Sequence, residues 1–293
     1  MTETGSAMGG PQPGAVVEHD AVLGERTAHL TVEHGAGPPV ILISGCGMPS
    51  YVWDPVVRHL PGRQIVRLDR PGMGGTPWPD RLPTLAEETA TLTELAEQHP
   101  GGVFVAHSMA SFHAEATIRR HPHLVAGLVL VDGSTERAVR KPIGEGAWLA
   151  AARAAEWAAQ HKPLAALGPV VDRITVTVQS RRRLLDPMDA RSLVTYSSAD
   201  AVASAIAESA GYRRQANDLL QLRAETRWPG LPVEVITAGR VGGGRWVAAQ
   251  RELAELLGGR QTVLPDSRHL VMLDEPGMIA SATQRVLAAI TQK

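Results

Sequence analysis

The chain has 293 residues, 44% of them hydrophobic and 20% charged, with a formal net charge of −1. That balance is ordinary for a soluble globular protein and gives no electrostatic reason to expect nucleic acid or an anionic membrane as a partner. The single cysteine, Cys46, excludes an intramolecular disulfide and fits a reducing cytoplasm, where the protein is expected to reside.

Residues 1–15 are rich in Gly and Pro and are expected to form a disordered tail; Met1–Ser6 lack the basic start and apolar core of a signal peptide. No apolar run approaches the roughly 18 residues of a membrane span. Short apolar runs then recur at Val40–Ile43, Ile65–Leu68, Val103–Val105 and Leu128–Val131, each followed by Gly, Asp or a small polar residue. They read as buried strands. Between them, Thr84-Leu85-Ala86-Glu87 has the spacing of a capping box, Leu85, Leu92, Leu95 and Ala96 share one helical face, and His99-Pro100-Gly101 ends that helix.

Residues 136–227 break the alternation. They are rich in Ala, Arg and Leu, read mostly as helices (148–159 and 199–208), and carry fourteen Lys/Arg against ten Asp/Glu. Within them Val170–Val178 is ambiguous, because part of it alternates like a strand, and Arg181-Arg182-Arg183 reads as a solvated charge run. The segment is expected to be a helical insertion that roofs the strand ends. Beyond it lie a strand at Val233–Ile236, an amphipathic stripe of Trp246, Ala249, Leu253, Leu256 and Leu257, a short strand at Val263–Leu264, and a final helix striped by Ile279, Val286, Leu287 and Ile290. Strands alternating with helices predict an α/β fold with a mostly parallel sheet covered on both faces.

The most telling stretch is Val103-Phe104-Val105-Ala106-His107-Ser108-Met109-Ala110-Ser111-Phe112. A β-prone run breaks at a serine and a helical segment follows, the strand–turn–helix context of a nucleophile elbow. Glycine is usual two residues either side of the serine; here both positions are alanine, Ala106 and Ala110. A serine hydroxyl is a poor nucleophile until a base takes its proton, and an imidazole titrating near neutrality suits that task, which makes His269 the candidate base.

Four landmarks together resemble the α/β-hydrolase fold superfamily, over residues 17–293. They are Ile43-Ser44-Gly45-Cys46-Gly47 with Trp53, Asp69-Arg70-Pro71-Gly72-Met73-Gly74-Gly75-Thr76, the elbow Ala106–Ala110, and Arg268-His269 followed by Asp274-Glu275-Pro276. The resemblance implies a mostly parallel eight-stranded sheet flanked by helices, with a core at 16–135 and 228–293 and a helical cap at 136–227. It also implies a serine nucleophile at Ser108, the base His269, and an oxyanion hole formed by the backbone N–H groups of Cys46 and Met109. In most of the family the acid follows the strand that here is Val233–Ile236, yet the loop 237–245 contains no carboxylate. A subset of the fold places it one strand earlier, which here is Asp132. Glu136, Asp266 and an acid-free Ser–His dyad stay open as alternatives.

Met48, Trp53, His107, Trp78 and Trp148, with Met109, are candidate pocket residues, although His107 also reads as packing beside the nucleophile. Asp69 and Arg70 read as braces for the strand-end loops, and Cys46 as a thiol lining the pocket. Serine, histidine and an oxyanion hole specify acyl transfer, so the first reading is hydrolysis of a small ester, lactone or thioester through an acyl-enzyme. C–C bond hydrolysis, perhydrolysis or a cyclase or lyase reaction is the second, and a small-molecule receptor with an idle triad the third. No cofactor or metal is expected: the histidines are scattered without ligand spacing, and no P-loop or dinucleotide fingerprint is present. The partner expected is a small-molecule substrate.

Overall fold

A computed structural model describes residues 14–138, 140–141, 144–160 and 167–292. Residues 1–13 of the expected tail lie outside the described residues; Gly14 and Ala15 already exchange backbone hydrogen bonds with His34. The first half runs β1 (Val16–Leu23), β2 (Arg26–Glu33), β3 (Ala36–Ile43), a 3-10 turn (Ser50–Trp53), α1 (Asp54–Val57), β4 (Arg63–Leu68), α2 (Leu85–Gln98), β5 (Gly102–His107), α3 (Ala110–Arg120) and β6 (Val125–Val131). Four helices follow, α4 (Glu145–Gln160), α5 (Gly168–Gln179), α6 (Ala190–Tyr196) and α7 (Ala199–Glu225). The chain returns through β7 (Val233–Ala238), α8 (Gly243–Leu256), β8 (Arg260–Leu264), α9 (Val271–Asp274) and α10 (Pro276–Thr291).

The strands form one eight-stranded sheet in the order β1-β2-β4-β3-β5-β6-β7-β8. β1 and β2 pair antiparallel with their neighbours and the remaining pairs are parallel, so the carboxyl ends of β3 through β8 all emerge along one edge. Two cores explain the strand sequences. Phe104, Ala106, Leu128 and Leu130 point to one face and pack with Leu92, Leu95 and Ala114. Val103, Val105, Val129 and Val131 point to the other, against Ile279, Val286 and Leu287. A strand buried on both faces has no polar positions to alternate with, which is why these runs are continuously apolar. Each such side chain contributes roughly 1.5–3 kcal/mol by leaving water.

The capping box at the start of α2 is complete: the Thr84 side chain accepts from the Glu87 backbone N–H and the Glu87 carboxylate accepts from the Thr84 N–H. The ambiguous Val170–Val178 is helical, within α5. Its β-branched residues serve a helical face rather than a strand, since Val171, Thr175, Asp172 and Val176 stand at i and i+4 on the wall of one cavity. No helix among the described residues is long and apolar enough to cross a membrane.

Candidate active site

Ser108 follows β5, whose residues are all buried. Its N–H donates to the Val131 carbonyl at 3.2 Å, continuing the ladder, while its own carbonyl accepts from Ser111 and Ser134. Its φ of +52° lies in the left-handed region, a conformation that costs a non-glycine residue roughly 1–3 kcal/mol and persists only when its surroundings hold it. Ala106 and Ala110 are both fully buried beside the turn, so a methyl group is accommodated where glycine is usual. The tight position lies across the turn at Gly45, where a Cβ would stand 2.7 Å from His107 Nδ1 and 3.0 Å from the Ser108 Cβ.

His269 lies between β8 and α9, on a loop fastened to the insertion. Leu270 N–H donates to the Gln179 carbonyl at 2.8 Å, and the Arg268 guanidinium donates to the carbonyls of Thr177, Val178 and Ser180. A cation on the last carbonyls of a helix offsets its dipole and satisfies acceptors that have no partner within it, so Arg268 caps α5 while holding the histidine loop. His269 Nε2 is 3.0 Å from Ser108 Oγ, and its Nδ1 is 2.6 Å from Asp132 Oδ2.

Asp132 directly follows β6, with φ +43°, and is fully buried. Its second oxygen, Oδ1, accepts from the Ala238 N–H at 3.0 Å and from the Trp246 indole N–H at 2.7 Å. The carboxylate is thereby fixed in plane, with one oxygen left for the imidazole. Charge-assisted bonds of this kind also offset the cost of burying the charge. Glu136 is engaged elsewhere, with Tyr212 and Arg140, and Asp266 is an exposed partner of Arg240.

Behind the imidazole lies His107, completely buried, its ring centroid 4.6 Å from that of His269 and its Nε2 3.0 Å from the His269 carbonyl. Burial, and then the neighbouring imidazole, push its pKa well below the ordinary value, so it is neutral and donates from Nε2. It supports the histidine loop and does not line a pocket, which corrects one expectation. The three tryptophans named as candidate lining are corrected as well. Trp53 is fully buried, its indole donating to Ser44 Oγ at 3.1 Å, and Trp78 is wedged among Ala152, Ala203 and Ala207. Trp148 is 41% exposed on α4, and the Met109 side chain packs with Leu85 and Phe112. Of the expected lining residues, Met48 does face the cavity.

That cavity, about 690 Å³, lies between the strand ends and the insertion, and His269 and Cys46 form part of its wall. Most of the wall comes from α4, α5 and α7, with Ala155, Val171, Val176, Ala205 and Ile206 among its apolar members. Cys46 and Met109 flank Ser108 from two loops, and among the described residues neither backbone N–H has a partner within the protein. Burial, then the Glu208 carboxylate, push the Cys46 thiol up to about 12, so it stays protonated and unreactive.

The loop carrying Cys46 is held from beneath. Gly47 N–H donates to Glu208 Oε2 at 2.6 Å, and Glu208 also pairs with Arg70, both side chains being buried. Arg70 reaches the Ser44 carbonyl and His113, whose other nitrogen meets Gln215 of α7 at 2.6 Å. Asp69 accepts from Ser50 N–H at 2.6 Å and from Gly75 N–H at 3.3 Å. Asp69 and Arg70 are thus braces for the loops, and Glu208, the partner of Arg70 and 161 residues from Gly47, has no motif to announce it. Trp246 is the other contributor that pattern reading missed: it fits the apolar stripe of α8, and only its polar tip reaches the site. No group of three or more His, Cys, Asp or Glu among the described residues is arranged to hold a metal ion.

Comparison with known proteins agrees with this fold. The chain is 39% identical over 99 residues to a pimeloyl-[acyl-carrier protein] methyl ester esterase of Aromatoleum aromaticum, a match covering 33% of this chain and 38% of that protein. To the enzyme of the same name from Legionella pneumophila it is 34% identical over 76 residues, 25% of this chain and 32% of that protein. The matches therefore span about a third of those curated relatives. Among solved structures, a thermophilic esterase from Thermogutta terrifontis superimposes with a TM-score of 0.68 at 18% identity, over 94% of this chain and 99% of that one. The Cif epoxide hydrolase from Acinetobacter nosocomialis does so with 0.70 at 15% identity, over 93% and 89%. Two neighbours with different chemistry show a shared fold and nothing finer. Residues 34–282 match the sequence profile of the alpha/beta hydrolase family, and the chain belongs to that family.

Proposed function

We propose that the protein is a serine hydrolase that cleaves a small ester, lactone or thioester through an acyl-enzyme on Ser108. The observation that carries the reading is the unbroken line from Ser108 Oγ to His269 Nε2 (3.0 Å) and from His269 Nδ1 to Asp132 Oδ2 (2.6 Å). Ser108 Oγ attacks the substrate carbonyl carbon as its proton passes to His269 Nε2. The tetrahedral oxyanion is met by the N–H groups of Cys46 and Met109, a contribution typically worth ~2.7–4 kcal/mol per donor. His269 then gives the proton to the leaving alcohol or thiol as the carbonyl re-forms, leaving the acyl group on Ser108. Water, deprotonated by the same imidazole, repeats the attack and frees the carboxylic acid. Asp132 keeps the proton of neutral His269 on Nδ1 and stabilises the imidazolium.

Helices α4 to α7, between β6 and β7, act as a cap in this reading. They supply most of the cavity wall, and so choose the substrate. A cytoplasmic small molecule is the partner that fits. The methyl ester esterase names of the partial relatives support an ester substrate. A fluorophosphonate probe tests the proposal: the wild type is expected to label and to hydrolyse p-nitrophenyl esters, and Ser108→Ala to do neither. A folded wild type that takes no label is not a serine hydrolase, and would instead fit a receptor with an idle triad.

A further inference from the structure

The cavity bordered by His269 and Cys46 is mostly apolar, with Thr175, Gln179, Tyr196 and Ser209 as neutral polar members. Among the described residues its lining includes no lysine or arginine, and Asp172 of α5 is the one carboxylate. Asp172 also borders a smaller pocket of about 200 Å³ that is rich in arginine, yet among the described residues no arginine forms an ion pair with it. Arg191 is engaged with Asp54 and Asp189, and Arg173 donates to the Leu184 carbonyl. The Tyr196 hydroxyl, beside Asp172, donates to the Gly47 carbonyl at 3.0 Å. Burial raises the Asp172 carboxyl to about 6, against the opposing pull of Tyr196 and Arg173. A carboxylate with no ion-pair partner among the described residues, set in a mostly apolar wall, is costly unless something pairs with it. An anionic ligand would add repulsion to that cost, and a neutral alkyl group would leave it unrelieved. A cation relieves it.

From this juxtaposition we infer that Asp172 is a specificity-determining residue, and that the preferred substrate is an acyl compound with a largely aliphatic body bearing a protonated amine, seated on Asp172 while its carbonyl reaches Ser108. The class rests on the acyl-transfer reading above, but the recognition of a cation does not. The Gly47 carbonyl and Tyr196 connect the same spot to the loop that carries the Cys46 amide, so an occupant of this subsite lies against the oxyanion loop.

Two readouts separate the two claims. The first is calorimetric titration of Ser108→Ala protein with N,N-dimethyloctylammonium and with octanoate, which needs no turnover. The ammonium is expected to bind about 10- to 100-fold more tightly than the carboxylate, and adding Asp172→Asn is expected to erase that difference. Equal binding, or a preference that survives Asp172→Asn in protein of unchanged circular dichroism, overturns the inference. The second is kcat/KM on p-nitrophenyl esters of four to ten carbons ending in dimethylammonium or in methyl. The ratio between the two end groups is expected to favour the cation and to fall about 10- to 100-fold in Asp172→Asn; a ratio that does not move also overturns the inference. Binding preference without turnover of any ester would refute the acyl-transfer reading and leave the cation subsite standing.

Discussion

Asp132→Asn is the sharpest perturbation of the site, because the contacts of the two carboxylate oxygens dictate its outcome. Oδ1 accepts two N–H groups, from Ala238 and Trp246, and Oδ2 accepts one from His269. An asparagine has one acceptor oxygen and one donating NH2. Two fixed donors at the Oδ1 position force the oxygen there, since turning the amide over would set NH2 against two N–H groups in a fully buried place. The NH2 must then face His269 Nδ1, which becomes an acceptor, and the imidazole proton moves to Nε2. That tautomer points N–H at Ser108 and cannot take its proton. The imidazolium formed during attack also loses its countercharge. Loss of the acid in this way costs about 10⁴-fold in turnover, equivalent to about 5.4 kcal/mol at 1.36 kcal/mol per tenfold. The assay is kcat on a p-nitrophenyl ester, with near-unchanged KM and a melting curve to show that the protein is folded. A folded Asp132→Asn enzyme within about tenfold of wild type would refute the reasoning and reopen Glu136, Asp266 or a dyad.

Other substitutions test other parts of the site. Trp246→Phe keeps the ring packing but removes one of two donors to Asp132 Oδ1, so kcat is expected to fall about tenfold and stability by about 1–3 kcal/mol; kinetics identical to wild type would make the indole mere packing. Gly45→Ala drives a methyl group against His107 and the Ser108 Cβ and is expected to abolish most ester hydrolysis in a folded protein; full activity would show that the elbow yields freely. Because its thiol is held up to about 12, Cys46 is expected to resist iodoacetamide at pH 8 even though it borders the cavity; Cys46→Ala is expected to retain activity, since the proposed mechanism uses the amide and not the sulfur, and rapid alkylation or loss of activity would refute that. For Glu88, burial raises the carboxyl, but the guanidiniums of Arg26 and Arg70 outweigh it and hold the pKa far below its ordinary 4.5. A depressed carboxyl contributes stability above the unfolded pKa and loses it as pH falls toward the folded one. Glu88→Gln should therefore cost about 3–5 kcal/mol at pH 7, and the gap to wild type in denaturant melts should narrow below pH 4.5; a gap independent of pH would contradict the assignment.

The sequence was most legible where chemistry and backbone constraint coincide. Strands buried on both faces leave continuous apolar runs, so β3 to β7 could be read directly. Asp132 came from the resemblance to the α/β-hydrolase fold, with Glu136, Asp266 and a dyad open beside it, and the geometry brings the Asp132 carboxylate to His269. Composition failed where it had to choose a face. Trp53, Trp78 and Trp148 were candidates for the pocket wall, yet two are buried in packing and the third is partly exposed on α4. Trp246 escaped notice for the opposite reason: an indole is apolar to a periodicity count and polar at one atom. Glu208, Asp172 and Tyr196 come from the insertion, whose approach to the strand ends depends on packing between residues more than a hundred positions apart, and no local pattern records that.

The account stands or falls on a covalent bond at one oxygen. Rapid mixing with a p-nitrophenyl ester, followed by acid quench and peptide mass analysis, measures it directly. The expected result is an acyl mass on the peptide containing Ser108, absent in Ser108→Ala and formed at least as fast as the ester turns over. Steady turnover by folded enzyme with no acyl group on Ser108 at any time, under conditions where deacylation limits the rate, would contradict it.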